Sequence, residues 1–496
     1  MPKIRKTKTA SGATAIQVVR YENRKVVVMK HIGSGQTPAE ITTLIERATA
    51  WITEMTNRQA LFLGNMPRTH VLATAKYLGI THKFVYRVLA NIAERCGFKV
   101  VDAPLLLDLA FLRIIEPTSK LRAVTLLARY FKIDYNKRTI YRTLPKLIQH
   151  KTKIEEIAVN CAKQQLALDL TLVLYDVTTL YFESFESDEL RIPGFSKDKK
   201  FEQPQIVVGL LVTRTGFPVG YEVFKGNTFE GKTMLPVVTE FAKRHEIKLP
   251  IIVADAGMLS RENLLELKSA GFSYIVGARL ANSALAVIEK VHSELGEKDG
   301  TTMRIAIEQG ELICAFSAKR YRKDKAELEK QITKAKKLVK SGEPGKRARF
   351  VKRVEDEAYA LDESGMKRAR LLLGVKGYYT NVSREQLSDA EIIERYHDLW
   401  HVEAAFRMSK SDLATRPIFH YKEDAVRAHV LIRFVALVLG RYLELQTKLS
   451  LRRIVDLLWS VTEAQIMDST TGEVFELRSE LSDEMRDLLR VLGLSY

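Results

Sequence analysis

Three acids stand in settings that suit chemistry on a phosphodiester. Asp176 closes the apolar run LTLVLYD (170–176), and Asp255 closes IIVAD (251–255). An apolar run ending in an acid reads as a buried strand that aims a carboxylate at the sheet edge, where α/β proteins bind ligands. Either acid alone would serve equally as a cap for the next helix. Glu403 lies in YHDLWHVEAAFRMSK (396–410), within a helix expected over 388–411. Tyr396 stands seven residues before it and Lys410 seven after. Seven helical residues turn about 700°, within about 20° of two full turns. Tyr396, Leu399, Glu403, Arg407 and Lys410 are therefore expected on one face. An acid between a phenol and two cations suits a metal ion bound to a phosphodiester. An ordinary amphipathic helix with charged edges would carry the same residues.

Charge points to the partner. The chain of 496 residues has a net charge of +18. Residues 1–150 hold 25 Lys and Arg against 9 acids, and residues 317–353 hold 15 against 4. Two basic blocks around a mildly acidic body imply a polyanion, most simply nucleic acid. Hydrophobic residues make up 46% of the chain and charged residues 28%, which excludes global disorder. Cys96, Cys161 and Cys314 are too few and too scattered for a disulfide framework or a thiolate zinc site. The opening MPKIRKTKTASG lacks an apolar core, so no signal peptide is expected. The most apolar stretch, from Val430, is broken by Arg433 and Arg441, so no membrane span is expected. These features place the protein in the cytoplasm, nucleoid-associated when bound to DNA.

The elements that must position the acids follow from periodicity. Residues 14–32 read as a β-hairpin around Glu22-Asn23-Arg24, within an N-terminal region over 1–35. Helical patterns dominate 36–168, read as a DNA-binding region. Within 70–94, ATAKYLGITHKFVYRVL resembles a helix-turn-helix. Gly79 would serve the turn, Thr81 would cap the second helix, and Lys83, Tyr86 and Arg87 would project toward DNA. An ordinary helical hairpin would show the same pattern. A strand-rich α/β region follows. IVVGLLVT (206–213) and FPVGYEVF (217–224) form a hairpin, and helices alternate with IIVAD and FSYIVGA (272–278). This predicts a mixed sheet flanked by helices. Residues 283–366, with the hairpin 303–317 and a basic helix, read as an insertion. The core pattern resumes over 367–450, and 451–496 form a small C-terminal region.

These pieces resemble a family. Asp176, Asp255 and Glu403 resemble the acid triad of DDE transposases of bacterial insertion sequences. The spacing of Tyr396, Glu403 and Lys410 is similar to the signature Tyr, two residues, Arg, three residues, Glu, six residues, Lys of insertion-sequence family four and its relatives. The blocks LYDVTTLYFES, FPVGYEVFKGNTFEGKTMLP, IIVADAGMLSREN, GYYTNV and RPIFHYKEDAVRAHVLIRF resemble the same group. The signature Arg is Leu399 here, and Arg407 is the expected substitute. The resemblance implies an RNase-H-like core carrying a strand-rich insertion after the second Asp. It implies Asp176, Asp255 and Glu403 as catalytic metal ligands for two Mg²⁺ ions per site, with Mn²⁺ as a substitute. It also implies that Tyr396, Arg407 and Lys410 contact double-stranded DNA, both transposon ends and target. Hydrolysis would free a 3′-OH for strand transfer, and a homodimer would hold the DNA.

Two other readings compete. Gly226 to Thr233 (GNTFEGKT) fits the phosphate-loop pattern, which would make the chain an NTPase acting on nucleic acid. Glu230 would then oppose the phosphates, and only one helix separates Thr233 from Asp255. The second rival is a non-catalytic DNA-binding protein on a transposase fold, which the presence of all three acids argues against. His397 and His401 share a helical spacing, but no third ligand joins them, with His420 and His429 further along. They read as neighbours of the site or as DNA-facing groups. Trp400 reads as core.

Overall fold

The computed structural model describes residues 2–22, 25–63, 75–183, 186–195, 202–248, 250–257, 260–341, 348–354, 359–415 and 418–495. From the N-terminus run β1 (Lys3–Lys8), β2 (Thr14–Glu22), β3 (Lys25–Gly35), α1 (Pro38–Leu63) and β4 (Ala75–Thr81). Helices α2 (Lys83–Arg95), α3 (Pro104–Ile115), α4 (Lys120–Phe131), α5 (Lys137–Thr143) and α6 (Lys151–Gln164) follow. Then come β5 (Leu172–Tyr181), β6 (Gln205–Thr213), β7 (Pro218–Lys225), α7 (Met234–Arg244), β8 (Ile251–Ala254), α8 (Arg261–Ser269) and β9 (Ser273–Ala278). The next stretch holds α9 (Leu285–Leu295), β10 (Thr302–Ile307), β11 (Gly310–Phe316), α10 (Ala318–Ser341), β12 (Val351–Arg353), β13 (Tyr359–Leu361), α11 (Glu363–Leu371) and β14 (Val375–Thr380). The chain ends with α12 (Asp389–His397), α13 (Trp400–Lys410), α14 (Glu423–Thr447), α15 (Leu451–Trp459), β15 (Glu463–Asp468), β16 (Val474–Arg478) and α16 (Asp483–Val491).

The chain divides into two compact units. One comprises residues 1–82 and 461–480, the other 83–460 and 481–496. In the first unit β2 and β3 pair antiparallel, as their alternating patterns predict, and β1 adds to β2. Ile16, Val18 and Ala48 are buried there, with Ile4, Ile41 and Leu44 packed around them. The expected turn residues Asn23 and Arg24 lie outside the described residues.

The expected helix-turn-helix does not form. Residues 75–81 are a strand, β4, paired antiparallel with β15, and β16 completes that sheet. Gly79 has φ +127°, but it sits beside a bulge in the strand and not in an interhelical turn. The Thr81 hydroxyl donates to the Glu463 carbonyl at 3.3 Å. The run KYLGIT has good strand propensity, and its partner lies too far along the sequence for local patterning to reveal it. Residues 64–74 are outside the described set. The region expected at 36–168 is accordingly divided at 82, and α2–α6 belong to the second unit.

The second unit is built on an eight-stranded sheet of order β10-β11-β14-β9-β8-β5-β6-β7. β5, β6 and β7 form an antiparallel meander, and β8 and β9 continue parallel to β5. The five strands β7-β6-β5-β8-β9 are the RNase-H-like core. Their interior positions are almost continuously apolar, as expected of a sheet covered on both faces. Helix α14 is buried on nearly all sides, which explains the apolar stretch from Val430. Tyr221 of β7 meets Phe434 of α14 with ring centroids 4.9 Å apart. Among the described residues no helix is long and apolar enough to cross a membrane.

The segment expected as an insertion over 283–366 joins the core more closely than its pattern implied. β10 and β11 extend the main sheet, because β11 pairs antiparallel with β14 and β14 with β9. Only α10, α11 and the β12–β13 ribbon build a separate small core, around Leu328, Ala335, Phe350 and Met366.

Candidate active site

Asp176 lies in the middle of β5, not at its end. The β5–β8 ladder nevertheless stops at Leu174 opposite Val253. The same register carried two residues further sets Asp176 beside Asp255 on one sheet face. Asp255 follows the last residue of β8 and is exposed, and Asp176 is half-buried. A close fit beneath them fixes β5. The ring of Tyr175, buried on the opposite face, lies over Gly209 of β6, where a Cβ would come within 2.2 Å of its hydroxyl.

The helix expected over 388–411 is broken. α12 ends at His397 and α13 begins at Trp400. Across the break the amides of Leu399, His401 and Val402 donate three residues back, at 2.9–3.2 Å, a tight turn of 3₁₀ type. Arg214, from the turn between β6 and β7, holds this break. Its Nε donates to Asp398 Oδ2 at 2.6 Å and a terminal nitrogen donates to Glu394 at 2.5 Å. Ser388 and Glu391 form a capping box that starts α12.

Three of the five residues expected on one face converge. Tyr396, Leu399 and Glu403 line one cleft of about 290 Å³ with Asp176, Asp255 and Lys376. Glu403 is exposed in the first turn of α13. Arg407 and Lys410 were expected on the same stripe and do not line this cleft. Arg407 is exposed, and Lys410 borders a separate cavity of about 40 Å³ beside Thr415 and Arg433. The turn at 398–399 lies between Tyr396 and Glu403, which both still reach the cleft, whereas Arg407 and Lys410 follow Glu403 on the unbroken helix α13, whose later turns run past it.

Tyr396 is buried, and its hydroxyl donates to Asp255 Oδ1 at 2.9 Å. Burial and the Asp255 charge push the phenol well above its ordinary range, so it stays a donor. Gly277 of β9 makes room for it, since a Cβ there would lie 2.4 Å from the Tyr396 oxygen. Lys376 of β14 places its Nζ 4.3 Å from the centre of the Tyr396 ring. Burial, then Arg320, lowers the Lys376 pKa, and Asp255 opposes that shift.

Sequence reading missed Lys376 and Arg279. A lone cation inside the apolar strand VKGYYT is a signal that could have been used. Arg279 directly follows β9, as Asp255 follows β8, and is exposed. It lines a cavity of about 840 Å³ that shares Asp255, Tyr396 and Lys376 with the cleft and also holds Arg320, Arg349 and Arg368. Arg279 forms no ion pair among the described residues. Trp400, expected in the core, is 56% exposed and lines the cleft, with its ring centroid 3.7 Å from that of His401.

The residues expected to read DNA lie elsewhere, on α2. Arg87 is exposed and Lys83 half-buried. Tyr86 turns inward, so it is a structural residue of the helical layer. Its hydroxyl donates to Asp108 at 2.8 Å, and its ring packs edge-on against Phe111 at 5.3 Å.

Three carboxylates dominate the donor set of the cleft, with His397 also on its lining, and such a set of hard oxygens suits a divalent cation such as Mg²⁺. Among the described residues no three His, Cys, Asp or Glu close into a ready-made metal cage. Asp176 and Asp255 stand side by side by register, and Glu403 lines the same cleft.

A family model described as "Transposase DDE domain" matches residues 168–439, which enclose all three acids. The chain belongs to the transposase DDE-domain family. It is a DDE-type transposase enzyme, and its large mixed sheet is the core that such a transposase requires. A piggyBac transposase, solved by cryo-EM as a synaptic complex with hairpin DNA, is similar over 76% of this chain and 69% of that one, at 10% identity and a TM-score of 0.36. No curated protein matches the sequence.

The phosphate-loop reading fails on geometry. β7 is an edge strand of the antiparallel meander, not a central parallel strand. The amides of Gly226, Thr228, Lys232 and Thr233 already donate to carbonyls of the protein at 2.9–3.1 Å. The Thr233 hydroxyl is buried, accepts from Tyr175 at 2.9 Å and donates to the Glu230 carbonyl at 2.6 Å. These four amides and the hydroxyl are thus taken up within the protein.

Proposed function

We propose that this transposase binds transposon-end DNA, hydrolyses a phosphodiester there and joins the freed 3′-OH to target DNA. It acts in the cytoplasm as a member of the insertion-sequence group with the Tyr-Arg-Glu-Lys signature. One observation carries the reading: Asp176, Asp255 and Glu403, from three separate elements, line one cleft with Tyr396 and Lys376. Mg²⁺, with Mn²⁺ as a substitute, is the ion such oxygens hold, two per site in the full complex. When bound, it supplies Lewis-acid stabilisation of phosphodiester oxygens.

The side chains divide the remaining work. Asp176, Asp255 and Glu403 supply the ligand oxygens. Tyr396 orients the Asp255 carboxylate through its hydrogen bond. Lys376 and Arg279 present positive charge on the side of the cleft that opens into the larger cavity, where a DNA strand would pass. Arg279 takes the phosphate contact that the signature Arg would make, since that position is Leu399. Two such chains would hold the paired ends.

The test is strand cleavage. Asp176→Ala, Asp255→Ala and Glu403→Ala should each abolish nicking and strand transfer in Mg²⁺ while end binding persists. A Glu403→Ala protein that cuts at the wild-type rate would refute the assignment. Equal loss of DNA binding in all three would favour a structural role for the acids.

A further inference from the structure

Away from the cleft, the second unit buries a cluster of cations without an acid. Arg113 of α3, Lys120 at the start of α4, and His429 and Arg433 of α14 are each no more than 5% exposed. His420, on the segment before α14, joins them half-buried, with its ring centroid 5.2 Å from that of His429. Arg113 donates to the Thr118 carbonyl at 2.6 Å and Arg433 to the Leu413 carbonyl at 3.0 Å. Those bonds satisfy a fraction of the donors. Both ring nitrogens of His429 and the Nε of Arg433 are buried with no partner among the described residues. Lys120 makes no ion pair among them.

The electrostatics agree with the geometry. Burial, then repulsion by Arg113 and Arg433, drives the Lys120 pKa down. Burial and the same cations depress His429 and take His420 to about 4. Among the described residues no carboxylate is among the charges that shift any of the five, and none forms an ion pair with them. A buried, unpaired charge costs several kcal/mol, and proteins pair it or discharge it. Lysine and histidine can discharge by losing a proton. Two guanidiniums cannot do so near neutral pH. They need an anion.

We propose that Arg113, Lys120, His420, His429 and Arg433 form a binding site for one phosphate-type oxyanion. Guanidinium forks match the oxygen spacing of phosphate, and lysine and histidine add donors from other directions. Helix α4 adds the positive end of its dipole, because Lys120 is its first residue after the Ser119 cap. His420 is the member nearest solvent, half-buried between Phe419 and Tyr421, which are 62% and 63% exposed. The phosphate group is either a free ion or part of a nucleic-acid backbone. This site is independent of the carboxylate cleft, so the outcome does not depend on the catalytic reading.

Equilibrium dialysis of the full chain against radiolabelled inorganic phosphate, in chloride buffer of fixed ionic strength, tests the site. Saturable uptake of one phosphate per chain is expected. At free phosphate 100 times Kd, the folded-to-unfolded ratio should rise about 100-fold, read from thermal or urea unfolding. Lys120→Met removes one cation and relieves repulsion, so it should fold well and lose both effects. Added duplex DNA that displaces the label assigns the site to backbone phosphate, whereas a label that stays bound assigns it to the free ion. Uptake no greater than in the chloride control would overturn the proposal. So would uptake undiminished in both Lys120→Met and His429→Phe.

Discussion

The Tyr396 hydroxyl donates to Asp255 Oδ1 at 2.9 Å, and the ring that carries it lies beneath the Lys376 ammonium. One phenol thus fixes an acid of the cleft and supports its nearest cation. Tyr396→Phe keeps the ring and removes the donor. Cleavage should fall about 10–100-fold, the usual cost of losing a partner behind a metal ligand. The Mg²⁺ concentration for half-maximal rate should rise, with circular dichroism unchanged. An unchanged Mg²⁺ titration would mean that Asp255 is oriented by something else.

Arg279, not Arg407, should hold the phosphate that Leu399 cannot. Arg279→Ala should cost about 1.5–3 kcal/mol of transition-state binding, as for other hydrogen bonds to charged groups. It should also reduce the slope of log affinity against log salt by about one. Arg407→Ala should stay near the wild-type rate, because Arg407 lies outside the cleft. Since Leu399 lines the cleft, adding Leu399→Arg to Arg279→Ala should restore part of the activity. The reverse ranking of the two alanine variants would return the role to Arg407.

Thr233 is a core hydroxyl within a sequence that imitates a phosphate loop. Thr233→Val leaves the buried Tyr175 hydroxyl without its acceptor, so urea unfolding should show a loss of about 1–3 kcal/mol. Lys232 is exposed. Lys232→Ala should move stability by no more than about 0.5 kcal/mol. Neither variant should alter ATP hydrolysis, which is expected at background in the wild type as well.

His245, after α7, should make the fold sensitive to acid. Burial, with Arg244 and Lys163 behind it, lowers its pKa from 6.5 to about 4. Between those values the unfolded chain binds the proton and the folded chain does not. Stability therefore rises with pH across this window and falls as pH drops below 6.5. Unfolding in urea at pH 7, 6, 5 and 4.5 should show His245→Leu with a shallower decline than wild type. Parallel declines would assign the acid sensitivity to other groups.

Much of the core was legible because its signals are local. The runs that became β5, β6, β7, β8 and β9 are apolar, short and bounded by turns, so their type and order follow from the sequence. The three acids could be picked out for the same reason, since two end such runs and the third sits between a phenol and cations. What stayed hidden depends on distant partners. β4 is a strand because β15 pairs with it, and β10–β11 join the main sheet because β14 offers an edge. The break at Asp398 is held by Arg214, which lies 184 residues earlier. Without that anchor the segment reads as one helix. Arg279 escaped notice because its significance lies in the parallel ends of β8 and β9, not in any motif around it.

The pairing of β4 with β15 also sets an order of events during protein synthesis. Thr81 and its partner Glu463 are 382 residues apart. At about 5–20 residues per second, roughly 20–80 s pass between their appearances. Through that interval the strand edge of β4 waits unpaired while the whole core sheet emerges and can fold. An open edge invites pairing with another chain. A nascent transposase is therefore most exposed to mispairing with copies made on the same message, and a product that stops short of Glu463 never closes that edge.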